Sequence, residues 1–153
     1  MTKLVSIKKI SAKDDLNKIV SDIQKATWVT ASEIVPEEYS VESLKEFLFK
    51  TESIFVVAYR DELFAGMASA KILNKPNGEV WLYIDDVDVC ENHQKRGVGK
   101  AIMNYLFSIA QESDMDEVWL GTEVENTPAN ALYKSLKPSE IQLFVGYTYT
   151  LKK

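Results

Sequence analysis

Apolar residues recur along this chain at two spacings, and the change from one to the other marks its elements. Residues 4–10 have the make-up of a first strand. Leu16, Ile19, Val20 and Ile23 then stand at i, i+3, i+4 and i+7, the stripe of an amphipathic helix, with Ser11 and Asp14 as an S-x-x-D start signal. Pro36 breaks the loop that follows, and a short second helix is predicted over about 40–49, with Val41, Leu44 and Leu48 on its inner side. Residues 54–59 read as a strand, and the turn Arg60-Asp61-Glu62 leads into another over 63–73, as a hairpin. Asn77-Gly78 is a second turn signal and opens a strand over 80–89. Beyond a glycine-bearing loop, Ile102, Tyr105, Leu106 and Ile109 form one stripe of a helix over 97–112. Residues 117–124 read as a further strand, and Thr127-Pro128 starts a last helix with proline at its favoured first position. Residues 141–151 supply one final strand, or two around Gly146.

The predicted order is β-α-α-β-β-β-α-β-α-β. The strands flanking the 97–112 helix must run parallel, joined by a right-handed crossover, while the hairpins before them are antiparallel. The class is therefore α/β with a mixed sheet, in a single domain over residues 1–153; no linker, repeat or low-complexity stretch divides it.

Charge narrows the partners. Eighteen Lys and Arg stand against 23 Asp and Glu, for a net charge of −5. Phosphate contacts dominate nucleic-acid affinity, so an acidic chain makes a poor general nucleic-acid binder but tolerates a cationic substrate. Residues 1–10 read as a strand, not a signal peptide, and no run approaches the roughly 20 apolar residues of a membrane span. A cytoplasmic protein without a membrane partner is expected. Cys90 and His93 are the sole cysteine and histidine; they cannot fill a tetrahedral zinc site unaided, so no metal is expected. A Cys90–His93 nucleophilic pair is the alternative chemistry that this spacing allows.

The stretch from Asp88 to Ala101 carries more information. It joins a strand end to a helix start through Gly97 and Gly99, with Lys95, Arg96 and Lys100 beside them. Glycine lets the backbone turn sharply and approach a ligand, and the free N–H groups of a first helical turn favour an anion. This chemistry suits a pyrophosphate. A P-loop would need glycine at Gln94 and a hydroxyl at Ala101; a dinucleotide fingerprint would need glycine at Ile102. Both fail.

Gln94-x-x-Gly97-x-Gly99 resembles the Q/R-x-x-G-x-G/A signature of the Gcn5-related N-acetyltransferases (GNAT), and Asn126-x-x-Ala129-x-x-Leu132-Tyr133 resembles that family's second signature at the usual distance. Within the family, residues 83–89 and the short tail look most like the type I aminoglycoside 3-N-acetyltransferases. The resemblance implies the acyl-CoA N-acyltransferase fold: a mostly antiparallel mixed sheet, a central splayed parallel strand pair and about four helices. It implies acetyl-CoA as cosubstrate, with its pyrophosphate held by Gln94, Lys95, Arg96, Gly97, Val98, Gly99 and Lys100. Its pantetheine arm would pair with the main chain of Val87, Asp88 and Val89; Asn126 would steady that arm and Ala129 leave it room. A homodimer is admitted. The family's usual Gly-Phe after the second signature is replaced by Lys137-Pro138, which leaves the last strands open.

Acetyl transfer to an amine needs a neutral nucleophile, a polarised carbonyl and a stabilised leaving thiolate. Tyr133 is the candidate acid, although Ala129, Leu132, Tyr133 and Leu136 also lie on one helical stripe and could simply pack. Glu123 is the leading candidate base, because with Glu125 it stands at the C-terminal end of the predicted 117–124 strand, where ligands bind in such sheets; Asp86 is the second, because carboxylates are disfavoured inside strands. Glu33, Glu37, Glu38, Glu42 and Glu46 add an acidic run. Together these point to a small-molecule or peptide amine: an aminoglycoside, a polyamine, or a lysine or N-terminus. A module that senses acyl-CoA without turnover, and an acyltransferase using another acyl-CoA, are the competing readings.

Overall fold

The computed structural model describes residues 4–29 and 32–152, so the predicted first strand can be followed only from Leu4 onward. Five strands form one sheet in the order β1 (Val5–Lys9), β2 (Ser53–Arg60), β3 (Leu63–Asn74), β4 (Val80–Val89) and β5 (Glu117–Trp119). Neighbours are antiparallel except β4 and β5, which run parallel and are joined through the helix α3 (Val98–Glu112). The helices α1 (Leu16–Lys25) and α2 (Val41–Phe49) lie between β1 and β2 in sequence, and α4 (Thr127–Ser135) follows β5. Single turns of 3-10 helix at Pro36–Glu38 and Glu91–His93 complete the order.

The continuous apolar run of β2 marks a strand buried on both faces. Ile54, Val56 and Ala58 pack with Leu82 and Ile84 against Ile102, Met103 and Leu106 of α3. Phe55 and Val57 point the other way, with Met67, onto Leu16, Ile19, Val20 and Ile23 of α1 and Leu44 of α2. The sheet is thus sandwiched between α3 on one face and the α1–α2 pair on the other.

Two boundaries differ from the sequence reading. Ser11 does bond Asp14, its N–H donating to Oδ2 at 2.8 Å, but that contact closes a turn; the helix cap is Asp15, which accepts from the Lys18 N–H at 3.1 Å. The strand expected over 117–124 ends at Trp119, and 141–151 forms no strand. Both losses have one cause. A strand needs a hydrogen-bonding neighbour. β4 and β5 pair only through Trp81–Glu117, Leu82–Val118 and Tyr83–Trp119 before they part, and among the described residues β5 has no partner on its other side.

No helix among the described residues is long and apolar enough to cross a membrane.

Candidate active site

Where β4 and β5 part, β4 runs on from Ile84 to Val89 hydrogen-bonded only to β3, so its other edge faces a cavity of about 850 Å³. Cross-strand pairing also slips here: Ser69 opposes Asp86 and Ala70 opposes Ile84, which leaves Asp85 as the extra residue of a bulge. The bulge changes the phase of the strand. Leu82 and Ile84 face α3 before it, and Val87 and Val89 pack on that same core after it. Asp86 and Asp88 therefore both emerge on the α1–α2 face, where they line a second cavity of about 320 Å³ with Tyr39, Phe55 and Met67. Asp85, Asp86 and Asp88 border both cavities.

At the far end of β4 the chain turns through Cys90–Arg96 into α3. Gln94 Nε2 donates to the Val89 carbonyl at 3.1 Å, which braces the turn. Gly97 caps α3 with φ of 82°, in the left-handed region that favours glycine. No side chain caps this end and no acidic residue sits in the first turn, so the leading N–H groups are available to an anion. Gly99 meets another need: a Cβ there would lie 2.9 Å from Leu132 Cδ2, so its absence lets α4 approach α3. Lys95, Gly97, Val98, Gly99 and Lys100 line the larger cavity, as do Val87, Asp88, Val89 and Gln94. Arg96 is exposed and does not line it.

On the opposite wall, Asn126 caps α4 by accepting from the Ala129 N–H at 3.3 Å, so its oxygen is engaged and its amide nitrogen is left for a ligand. Asn130, which the sequence reading passed over, donates to the carbonyls of Glu123, Val124 and Asn126 and locks the loop in place. Tyr133 is both core and lining residue: it packs on the α3 cluster and borders the cavity. Burial, with the Asp88 and Asp86 charges nearby, pushes its hydroxyl up to about 12.

The carboxylates separate by environment. Burial first, and then the neighbouring Asp86, pushes Asp88 up to about 6, although a Ser32 hydroxyl donating at 3.1 Å opposes the shift. Burial and the Asp85 charge also raise Asp86. Glu123 lines the cavity from an exposed loop, not from a strand end. Glu33 borders the larger cavity and Glu38 the smaller, while Glu37, Glu42 and Glu46 are exposed and border neither. Ser32, Tyr39 and Trp119, whose ring stacks on Tyr83 (centroids 5.3 Å apart), line the cavities without a sequence signal, because each is brought in by packing between distant segments. The Cys90–His93 alternative ends here. Burial pushes the Cys90 thiol up to about 12, and the thiol points at the Phe64 carbonyl, while His93 Nδ1 lies 2.9 Å from Arg60.

The splayed strand pair matches the fold that the sequence resemblance implied. The model of the acetyltransferase (GNAT) family matches residues 19–137. The chain belongs to that family. It is a GNAT N-acetyltransferase, and GNAT enzymes use acetyl-CoA. It is 25% identical over 142 residues to an N-alpha-acetyltransferase of Saccharolobus solfataricus, covering 88% of this chain and 80% of that one. It is 30% identical over 93 residues to human N-acetyltransferase 8, covering 60% of this chain but 41% of that protein. An aminoglycoside acetyltransferase from an uncultured soil metagenomic sample, solved with sisomicin, superposes with a TM-score of 0.81 at 22% identity, over 97% of each chain. That likeness shows the fold.

The loop geometry of this acetyltransferase gives a first expected result. Gly97→Val should weaken acetyl-CoA binding at least tenfold, about 1.4 kcal/mol, because a β-branched residue resists the left-handed backbone that presents the helix start. Gly99→Ala should cost less, since the side chain it meets is the movable end of Leu132. Calorimetric titration of both folded variants checks the order.

Proposed function

We propose that this acetyltransferase moves the acetyl group of acetyl-CoA onto a primary amine of a cationic acceptor, by direct attack. One observation carries the reading: the free edge of β4, a pair of burial-shifted carboxylates and Tyr133 line one cavity. Main-chain groups of Val87, Asp88 and Val89 would pair with the pantetheine arm as an added strand does. The amides between Gln94 and Lys100 would take the pyrophosphate, with Lys95 and Lys100 supplying charge; Asn126 and Ala129 would border the arm from α4. An N–H of the β4 edge would polarise the thioester carbonyl.

The acceptor arrives as an ammonium, with a pKa of about 10.4, and must lose a proton before it attacks. Asp86 and Asp88 are placed to take it. Asp88 is the stronger candidate, because a carboxyl near 6 accepts a proton more readily than an ordinary one yet is still ionised at neutral pH. The amine nitrogen then bonds to the carbonyl carbon, the carbon–sulfur bond breaks, Tyr133 gives its proton to the departing sulfur, and the proton that the nitrogen sheds in becoming an amide restores the hydroxyl. A hydroxyl near 12 keeps its proton throughout the working range, so the donor is always present. Glu123, at the rim, is better suited to attracting the cation than to taking its proton.

Several acceptors fit this chemistry. The neighbour solved with sisomicin supports an aminoglycoside, and the archaeal N-alpha-acetyltransferase supports a peptide amine. A polyamine satisfies the same carboxylates. A cytoplasmic location and a homodimer belong to the same reading.

Exposed charges attract over only about 8 Å at physiological salt. Glu123→Gln should therefore raise KM for a diamine about two- to fivefold, an effect that fades as salt rises, with kcat nearly unchanged. Steady-state kinetics across a salt series test it. A collapse of kcat instead would return the base to Glu123, and equal rates with neutral amines would remove the cationic acceptor.

A further inference from the structure

The smaller cavity, of about 320 Å³ on the α1–α2 face, is touched only at its edge by the chemistry proposed above. Its lining divides by character. Leu44, Phe47, Phe55 and Met67 form an apolar part, in which Leu44, Phe55 and Met67 are buried and the Phe47 ring meets that of Phe55 edge to face at 6.4 Å. Carboxylates form another part: Asp85, Asp86 and Asp88, with Glu38. The three aspartates also border the larger cavity, so they stand where the two cavities adjoin. Neutral polar groups are few. The Ser40 hydroxyl donates to Ser43 Oγ at 2.9 Å and accepts from the Ser43 N–H at 3.1 Å to cap α2, so this pair is engaged within the helix start. The hydroxyls of Tyr39 and Ser69 remain.

We propose that the acceptor is a small primary amine on a short chain that ends in one ring-sized apolar group. The β4 carboxylates hold the amine, and Leu44, Phe47, Phe55 and Met67 surround the apolar group. This narrows the proposed acetyl transfer and rests on it. The size fits. An apolar cavity of roughly 150 Å³ takes a benzene ring, so about 320 Å³ takes a ring together with the short chain that reaches the amine. The charge fits as well. An ammonium at Asp86 and Asp88 has hydrocarbon on one side, in the smaller cavity, and the edge of β4 on the other, in the larger.

The same lining disfavours the other acceptors. A polyamine would carry a second ammonium in among Leu44, Phe47, Phe55 and Met67, where a charge without a partner is costly. An aminoglycoside would bring hydroxyls on every side, and a peptide its main-chain amides. Buried polar groups left unpaired weaken binding, and the Tyr39 and Ser69 hydroxyls cannot satisfy so many. An apolar tail behind a single amine makes no such demand.

Thiol release from acetyl-CoA should be measured with phenethylamine, butylamine, spermidine, sisomicin and an amidated peptide that begins with Phe. One methylene missing from an apolar pocket already costs about tenfold or more, so kcat/KM for phenethylamine should exceed that of each other amine at least tenfold. Phe47→Ala should shrink the advantage over butylamine at least fivefold. So should Ser43→Trp, which crowds the cavity from the exposed start of α2 and removes nothing from the core. The advantage is a ratio of two substrates on one protein, so partial misfolding does not mimic the effect. Any of the other amines reacting as well as phenethylamine, or a ratio unmoved in both variants, would overturn the proposal. Calorimetric titration with phenethylamine and butylamine keeps the two readings apart. If no amine releases thiol, acetyl transfer fails; a tenfold binding preference that both variants lose would still seat the apolar group in this cavity. Equal binding of the two amines would overturn that as well.

Discussion

Tyr133→Phe should lower kcat roughly 10²-fold or more while acetyl-CoA affinity stays nearly constant. The hydroxyl is the only part of the side chain removed, and the ring keeps its contacts with the α3 core. A donor that acts only as sulfur charge develops contributes to the transition state and not to the ground state, so its loss falls on kcat. The size follows from the usual 10²–10⁴ range for a positioned acid. Because burial and the β4 carboxylates hold the hydroxyl near 12, its ionisation adds no alkaline limb to the wild-type profile below about pH 11. Single-turnover measurements with a good amine acceptor check the rate. A drop in melting temperature with unchanged turnover would assign Tyr133 to packing alone.

Asp88→Asn should also cost 10²-fold or more in kcat/KM at neutral pH, and should leave the protein more stable than the wild type. The two effects share a cause. Burial raises the Asp88 carboxyl from 3.8 to about 6, so the folded chain holds a proton that the unfolded chain releases in that interval. Where the folded state binds more protons, stability falls as pH rises. The cost of the charged carboxylate is therefore absent below about pH 4, grows through pH 6 and is complete above it. Asparagine never incurs it. Melting temperatures of the two proteins should coincide near pH 4 and diverge by pH 7, with the variant higher. In kinetics, the wild-type kcat/KM should climb through a pKa near 6, and the variant should lose that limb. Asp86→Asn is the control: if it abolishes the limb and Asp88→Asn does not, the proton goes to Asp86. A protein that gains stability by losing a functional carboxylate is a familiar trade.

Much of this architecture is legible in the chain. Spacing located the helical stripe of Leu16, Ile19, Val20 and Ile23, and all four are buried. The two glycines and the Asn126–Tyr133 signature located both walls of the cavity, because close backbone approach and helix capping leave local residue signals. Other features leave none. Spacing alone cannot show that residues 120–124 lose their strand partner, because the parting of β4 from β5 is a property of two segments. The bulge at Asp85 is invisible for the same reason: it is a mismatch with Ser69 and Ala70, fifteen or so positions away. Environment decides the ranking of carboxylates as well. Glu123 reads as a strand-end base, yet it occupies an exposed loop, while Asp88 acquires its shift from burial and from the Asp86 charge, against a bond from Ser32, which lies far off in sequence.

The bulge at Asp85 also divides labour along a single strand. On one side of β4, Val87 and Val89 are constrained by the α3 core; on the other, Asp86 and Asp88 meet only the cavities and the segment around Ser32. Substitutions at 86 and 88 can therefore alter the chemistry of the cavities without disturbing the layer that holds the fold. Were Asp85 instead drawn into a regular ladder, strict alternation would couple the two sets again, turning the valines outward and driving carboxylates into the core. A single unpaired residue thus uncouples the chemistry of the site from the packing of the scaffold.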